Sequence, residues 1–411
     1  MEYSPRKLEE KLDKWMGRRE VILIKGPRQS GKTTLVKHLK DKYGGHYITF
    51  EDDEMLDSFN KNPKLFIKRF SSRNIFIDES QYSKNVGKNL KLLYDLYPDK
   101  KFIVTGSGSF DVRVEIGKYL VGRGVYFELL PLDFEEFLMW KAKDLYSVFS
   151  EYKKSLLDFI FKGEDVEVHP SFTKEFKELL DEFVVFGGFP AIVKEDDRNI
   201  KKELLKNLVH TYIEKDVFFF FDVRHIDRFR NLMMYLGFNI GSILEITSIS
   251  REFGMDYRTV ENYISILVHT YVISLLSPFH KNLSTELKKP KKMYFVDTGM
   301  RNSILDNFVE LDRRLDKGHL LENFILTEIM KNMDCKLNYW RTTGKAEVDF
   351  VLNVNGDLVP IEVKGRPEIS RSFLSFIKTY RSDRAIIFND AVFSRKVVRN
   401  TRVLFVPHFY I

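Results

Sequence analysis

The chain of 411 residues has a single cysteine, Cys335, which excludes an internal disulfide and cannot by itself build a zinc site. No apolar run approaches the ~20 residues that a membrane span requires. The N-terminal stretch MEYSPRKLEEKLDKW has the pattern of a charged amphipathic helix and lacks the apolar core of a signal peptide. These absences point to a cytoplasmic protein without a membrane partner. Hydrophobic residues make up 44% and charged residues 30%, which excludes a disordered chain. About two to four domains are expected at this length, with room for sizeable cores.

The net charge of +7 is unevenly placed. Residues 366–402 hold nine Arg and Lys against three acids, Glu368, Asp383 and Asp390. Nearly the whole excess therefore lies in the last tenth of the chain. A basic surface of that density suits a DNA backbone. A solvated helix face, with the Lys and Arg richness of a heat-adapted protein, gives the same count.

The most informative stretch is present near the start. Val21-Ile22-Leu23-Ile24 reads as a short buried strand, and TTLVKHLKDKY as an amphipathic helix. Between them stands Gly26-Pro27-Arg28-Gln29-Ser30-Gly31-Lys32-Thr33, the G-x-x-x-x-G-K-[ST] pattern between strand and helix. Such a turn directs consecutive backbone N–H groups inward as an anion nest, and the helix N-terminus adds partial positive charge. Lys32 reaches the β- and γ-phosphates, and Thr33 offers its hydroxyl to Mg²⁺. Residues 26–34, Thr34 included, are the candidate ATP-binding residues.

A second apolar strand, Asn74 to Ile77, ends in Asp78-Glu79. Ligands bind at strand ends in parallel α/β sheets, so Asp78 is placed to hold Mg²⁺ through water. Glu79 is the natural base to orient or deprotonate an attacking water. An ordinary solvent-exposed strand end is the bland alternative. A third strand, Lys101 to Val104, leads to Thr105 and Ser107, either of which is a candidate to sense the γ-phosphate or position water.

The stretches GPRQSGKTT, IFIDESQ, TGSGS, GRGVYFELLPLDFEEFL, GGFPAIVK, YIEKDV, YFVDTGMRN and GHLLENFILTEI occur in this order. On them the chain resembles the archaeal and bacterial family of AAA+-like P-loop ATPases that carry a C-terminal domain of uncharacterised function. The resemblance implies an additional-strand ATPase core in which Glu79 is catalytic. It also implies that Arg123 acts as an arginine finger, in its own subunit or across the interface of a homo-oligomer. A structural ion pair is the alternative for Arg123.

Residues 145–235 show helical spacing, interrupted by a turn at Gly187-Gly188-Phe189-Pro190, and resemble a helical lid. Phe218 to Phe221 reads as buried packing. Residues 243–276 suggest a helix-turn-helix: ITSISREF, a break at Gly254, then a helix capped by Asp256. Val260, Tyr263, Ile264 and Leu267 face its core, while Arg258, Glu261 and Asn262 face out. As a winged helix it either lies in a major groove or serves as a spacer. The run KKPKK at 288–292 is compatible with phosphate contact.

Residues 344–365 form the second informative stretch. Asn355-Gly356 is a strong hairpin signal, and a loop centred on it pairs positions whose numbers sum to 711. Asp349 then faces Glu362, and Glu347 faces Lys364, all on one side of the ribbon. Opposed carboxylates destabilise a strand pair unless a cation compensates. The pattern resembles the PD-(D/E)-x-K nuclease motif, with Asp349, Glu362 and Lys364 in place and Glu322 matching that fold's helix acid. The resemblance implies a Mg²⁺ or Mn²⁺ site of Glu322, Asp349 and Glu362 that lowers the pKa of a water, with Lys364 orienting it. A nuclease-like fold that binds without cutting, or a plain charged hairpin, are the alternatives.

The expected fold is thus α/β: a P-loop ATPase core over 1–144, a helical lid or insertion over 145–238, a winged-helix segment over 239–290, and a restriction-endonuclease-like domain over 291–411. The expected function is an Mg²⁺-dependent ATPase that drives or gates the C-terminal domain on DNA. A nucleotide-controlled interaction module is the rival.

Overall fold

The computed structural model describes residues 3–106, 117–167, 169–221, 223, 225–280, 286 and 289–411. The chain forms two compact units. Unit 1 comprises residues 1–131, 210–224 and 265–272, and unit 2 the remainder. This division differs from the four consecutive domains expected: two short pieces of the 145–290 span belong with the N-terminal unit. The physical reason is visible at Asp216, which pairs with Arg28 of the phosphate loop.

Unit 1 is built on five parallel strands, β1 (Val21–Lys25), β2 (His46–Thr49), β3 (Asn74–Asp78), β4 (Lys101–Gly106) and β5 (Gly124–Glu128). Their order is β2-β3-β4-β1-β5, so β4 is the additional strand between β1 and β3. Such strands are covered on both faces, which explains why they read as unbroken apolar runs rather than as alternation. Val21, Leu23, Ile75, Ile77, Phe102 and Val104 pack on one side with Phe59, Phe66, Leu90 and Leu93. Ile22, Ile24, Phe76 and Ile103 pack on the other with Leu35, Val36 and Leu39 of the helix Lys32–Tyr43. The helix after β1 is thereby fixed, and its N-terminus is held at the carboxyl end of the sheet.

Unit 2 contains a short ribbon and a larger mixed sheet. The ribbon pairs β6 (Ile273–Leu276) with β7 (Lys292–Phe295), antiparallel. The sheet runs β12 (Ser394–Val398), β13 (Thr401–Pro407), β11 (Arg384–Asn389), β10 (Asp357–Val363), β9 (Glu347–Val354) and β8 (Lys336–Arg341). Its hairpin β9–β10 pairs Asp357 with Val354 and continues to Ile361 with Phe350, the register sum of 711 expected from Asn355-Gly356. Asn355 (φ 55°) and Gly356 (φ 101°) supply the left-handed pair that such a tight turn requires. One face of the sheet packs Val348, Val351, Ile387, Val403 and Phe405 against Phe373, Phe376 and Ile377 of the helix Arg371–Tyr380.

Before this sheet lie the helices Lys143–Lys162, Thr173–Phe186, Ile226–Phe238 and Ile246–Phe253. The helix Tyr257–His269 follows Gly254, which caps its predecessor at φ 56°. Val260, Tyr263 and Ile264 are buried, whereas Arg258, Glu261 and Asn262 are exposed. The helix ending at Thr211 runs into a π-helix over Tyr212–Phe220, a widened geometry frequent at functional positions. Phe218, expected in a core, is 53% exposed because its neighbour Val217 takes the buried face. Among the described residues, no helix is long and apolar enough to cross a membrane.

Candidate functional site

The loop after β1 is shaped by close approach and by left-handed backbone. A Cβ on Gly26 would lie 2.1 Å from the carbonyl oxygen of Leu129, so only glycine fits. Gln29 (φ 62°) and Gly31 (φ 96°) take the left-handed backbone that a turn of the anion-nest kind uses. Lys32 opens the helix Lys32–Tyr43 and is 5% exposed. Its Nζ donates to the carbonyls of Gly26 (3.0 Å) and Pro27 (2.6 Å). Burial pushes this ammonium down to about 8, opposed by the charges of Glu79 and Asp78. Thr33 is half-buried and Thr34 exposed in the first turn. Ser30 is fully buried, and its hydroxyl has no hydrogen-bond partner. Arg6 anchors the loop, donating from Nη1 to the Ser30 carbonyl (2.8 Å) and from Nη2 to that of Leu130 (2.7 Å).

β3 delivers Asp78 to the same edge, 1% exposed. Its carboxylate accepts from the hydroxyls of Tyr47 (2.8 Å) and Thr105. Thr105 is thus committed to orienting Asp78. Burial and the Asp78 charge push the Tyr47 phenol well above its ordinary value, which keeps it a donor. Glu79 follows at φ 53°, a left-handed conformation uncommon for a non-glycine residue and typical of functional sites, and Gln81 donates to it. Ser107 lies outside the described residues.

Arg28, in the middle of the loop, is paired with Asp216, Nη2 to Oδ1 at 3.0 Å. Arg123 stands apart from this assembly. It precedes β5, whose Gly124 pairs with Val21 at the amino end of β1. That is one strand length, roughly 16 Å, from the loop. There it pairs with Asp95 at 2.9 Å.

In unit 2, Asp349 and Glu362 are brought to one region. Asp349 accepts from the Val363 N–H (2.8 Å), and Glu362 Oε1 from the Ser370 hydroxyl (2.7 Å). Glu362 is 1% exposed, and its Oε2 has no hydrogen-bond partner, with Lys364 Nζ 4.0 Å away. Burial pushes Glu362 up to about 7. Desolvation and the charge of Glu322 do the same to Asp349, also to about 7.

Glu322, on the helix Lys317–Asn332, has two partners of its own. Its Oε1 accepts from the Tyr294 hydroxyl (2.5 Å) and lies 3.3 Å from Lys292 Nζ. Lys292 also contacts Glu347 Oε1 at 2.5 Å. Burial alone would lower the Lys292 pKa; Glu322, Asp349 and Glu347 outweigh it and raise it above the ordinary lysine value. Among the described residues, no group of three or more His, Cys, Asp or Glu is arranged to hold a metal ion. Of the residues expected to form a metal site, Glu322, Asp349 and Glu362, the helix carboxylate is engaged through Oε1 by Tyr294 and Lys292.

The basic region needs a correction too. Arg384 is buried, donating to the Ile160 carbonyl at 2.8 Å, and Arg402 pairs with Asp165 at 3.0 Å. Arg366, Arg371, Lys378, Arg381, Arg395, Lys396 and Arg399 are exposed. Of the KKPKK run, Lys288 lies outside the described residues and Lys292 is buried. Sequence reasoning gave no role to Tyr47, Arg6, Asp216, Lys292 and Tyr294, although Asp216 and Tyr294 fall in the stretches YIEKDV and YFVDTGMRN and Lys292 ends the run KKPKK.

Residues 18–138 match the model of an AAA domain. Residues 177–310 and 317–409 match two domains of unknown function, DUF8612 and DUF4143. An uncharacterised protein of Methanocaldococcus jannaschii is 29% identical over 405 residues, covering 92% of this chain and 84% of that protein. An uncharacterised protein of Mycobacterium tuberculosis is 25% identical, covering 89% of this chain and 75% of the relative. A solved replication initiator DnaA, bound to AMPPCP and single-stranded DNA, is 18% identical with a TM-score of 0.28, over 64% of this chain and 89% of that one; a likeness that low carries no argument. The AAA-domain match over residues 18–138 falls on the parallel sheet in which β4 lies between β1 and β3.

Proposed function

We propose that the protein is an Mg²⁺-dependent ATPase whose nucleotide state governs DNA binding by unit 2. The observation that carries the ATPase reading is the loop of residues 26–33. A backbone that admits only glycine at 26, a left-handed turn and a buried lysine converge on the N-terminus of one helix. Lys32 exchanges its two backbone carbonyl partners for phosphate oxygens, a charge-assisted and therefore stronger pairing. Thr33 and Asp78 are the residues that would hold Mg²⁺. Bound there, the ion neutralises charge on the phosphates. Tyr47 and Thr105 keep the Asp78 carboxylate oriented. Glu79, at the carboxyl edge of the sheet, orients and deprotonates the attacking water. Glu79→Gln is expected to retain ATP and lose hydrolysis; hydrolysis at the wild-type rate would remove Glu79 from the role.

Two features support DNA as the partner. Seven exposed Arg and Lys side chains lie within 366–402. The helices Ile246–Phe253 and Tyr257–His269 precede the β6–β7 ribbon in the order of a winged helix. Phosphate contacts release counterions, so the logarithm of the affinity falls by about 0.9 per contact per decade of salt. A filter-binding series from low to high salt tests this. A steep negative slope supports the reading, while a flat one points to an interaction module that docks a protein. Lys292 and Tyr294 engage Glu322 beside Asp349, which puts an ammonium rather than a metal among these acids and favours DNA binding over cleavage. Within one chain Arg123 serves Asp95, and a finger role toward a second copy requires ATP-dependent assembly, read from the mass with and without ATP.

A further inference from the structure

We propose that the ammonium group of Lys292 is the built-in cation of the acidic site in unit 2, and that removing it turns this site into one for a divalent metal ion. The site is independent of the nucleotide and DNA readings.

Strand β7 sets the arrangement up. Lys292 and Tyr294 are two residues apart, so strand alternation puts both side chains on one face. Both reach the same carboxylate oxygen, Glu322 Oε1, from 3.3 and 2.5 Å. The lysine also holds Glu347 at 2.5 Å. Its own side chain is only 4% exposed, so this ammonium is not a surface charge that happens to lie near acids.

The neighbouring hairpin supplies the rest. The β9–β10 register runs to Ile361 opposite Phe350; Glu362 and Asp349 are the next residue on each strand, and Asp349 accepts from the Val363 N–H at 2.8 Å. Asp349 is close enough to contribute to the charge felt by Lys292. Glu362 Oε2, in a residue 1% exposed, accepts no hydrogen bond among the described residues, with Lys364 Nζ standing 4.0 Å away. Four carboxylates thus share a region with two lysines, and one buried carboxylate oxygen is left unsatisfied.

Carboxylates gathered out of water need a compensating cation. An ammonium meets that need with one charge and three donors, and here those donors are turned to Glu322 and Glu347. A divalent ion needs several oxygens converging at about 2.0–2.6 Å. Lys292 prevents that convergence by occupying Glu322. Without the ammonium, the cations paired with these four acids among the described residues are Lys364, 4.0 Å from Glu362, and Arg341, 3.6 Å from Glu347.

The test uses full-length protein without nucleotide, with Mn²⁺ as the probe, followed by electron paramagnetic resonance and equilibrium dialysis. Lys292→Met keeps an unbranched apolar stem of similar length and removes the charge. It is expected to take up one Mn²⁺ more per chain than wild type, and the double substitution with Asp349→Asn to lose that extra ion. Equal uptake by wild type and Lys292→Met would overturn the proposal, as would a wild-type Mn²⁺ site abolished by Asp349→Asn. If Lys292→Met fails to fold in metal-free buffer, refolding decides. Recovery in Mn²⁺ supports the proposal, and equal failure with and without the ion overturns it.

Discussion

Arg28 and Asp216 are bonded to one another, Nη2 to Oδ1 at 3.0 Å and Nε to Oδ2 at 3.2 Å, although 188 residues separate them in the chain. An arginine of the phosphate loop is thus held by the π-helix of residues 212–220, within the same unit. The side chains are 16% and 5% exposed, so breaking the pair leaves an uncompensated charge. Asp216→Ala should destabilise unit 1 by about 3 kcal/mol, and Asp216→Asn by less, since the amide oxygen still accepts. Urea unfolding of the three proteins checks the order.

Gly26→Ala is a steric test of the loop. The new methyl would meet the Leu129 carbonyl oxygen at 2.1 Å, far inside any tolerated contact, and neither partner is a flexible side-chain end. The backbone must shift, and the carbonyl that Lys32 uses shifts with it. ATP hydrolysis is expected to fall at least tenfold, measured by phosphate release.

Acid sensitivity should concentrate at Asp316. Its carboxylate is partly desolvated, which would raise its pKa, yet Arg314 and Arg301 hold it well below the ordinary value. A depressed acid contributes stability that is present above its unfolded pKa of about 4 and is lost as pH falls toward the folded value. Asp316→Asn should therefore cost about 3 kcal/mol at pH 7, a gap that closes as pH drops below 4. Denaturation at pH 7, 4 and 3 measures it. A gap independent of pH would show that the carboxylate charge plays no part.

The nucleotide site is largely legible in the sequence because its determinants are local. Strand, glycine turn, lysine and helix follow one another within 23 residues, and β3 with Asp78-Glu79 announces itself by an apolar run. The hairpin register is legible for the same reason, since Asn355-Gly356 fixes the pairs from Asp357–Val354 to Ile361–Phe350. Partners brought in by the fold are not. Asp216 sits in a stretch whose spacing says only helix. Lys292 belongs to a basic run that counts as surface charge until β7 turns it inward. Arg384 inflates the charge of the C-terminal region in the same way: composition records a charge, and only packing records whether it meets water. Resemblance puts Glu322 in the right neighbourhood, but nothing in the sequence reveals that Tyr294 and Lys292 claim it.

Every role assigned to unit 1 depends on the turn after β1 holding the triphosphate of ATP, with Lys32 as its principal cation. Isothermal titration of ATP in Mg²⁺ buffer into wild-type protein and Lys32→Ala tests this most directly. Saturable binding of one nucleotide per chain to wild type, weakened at least tenfold by the substitution (about 1.4 kcal/mol), is the expected result. Equal affinity in the two proteins, or no binding to either, would contradict it.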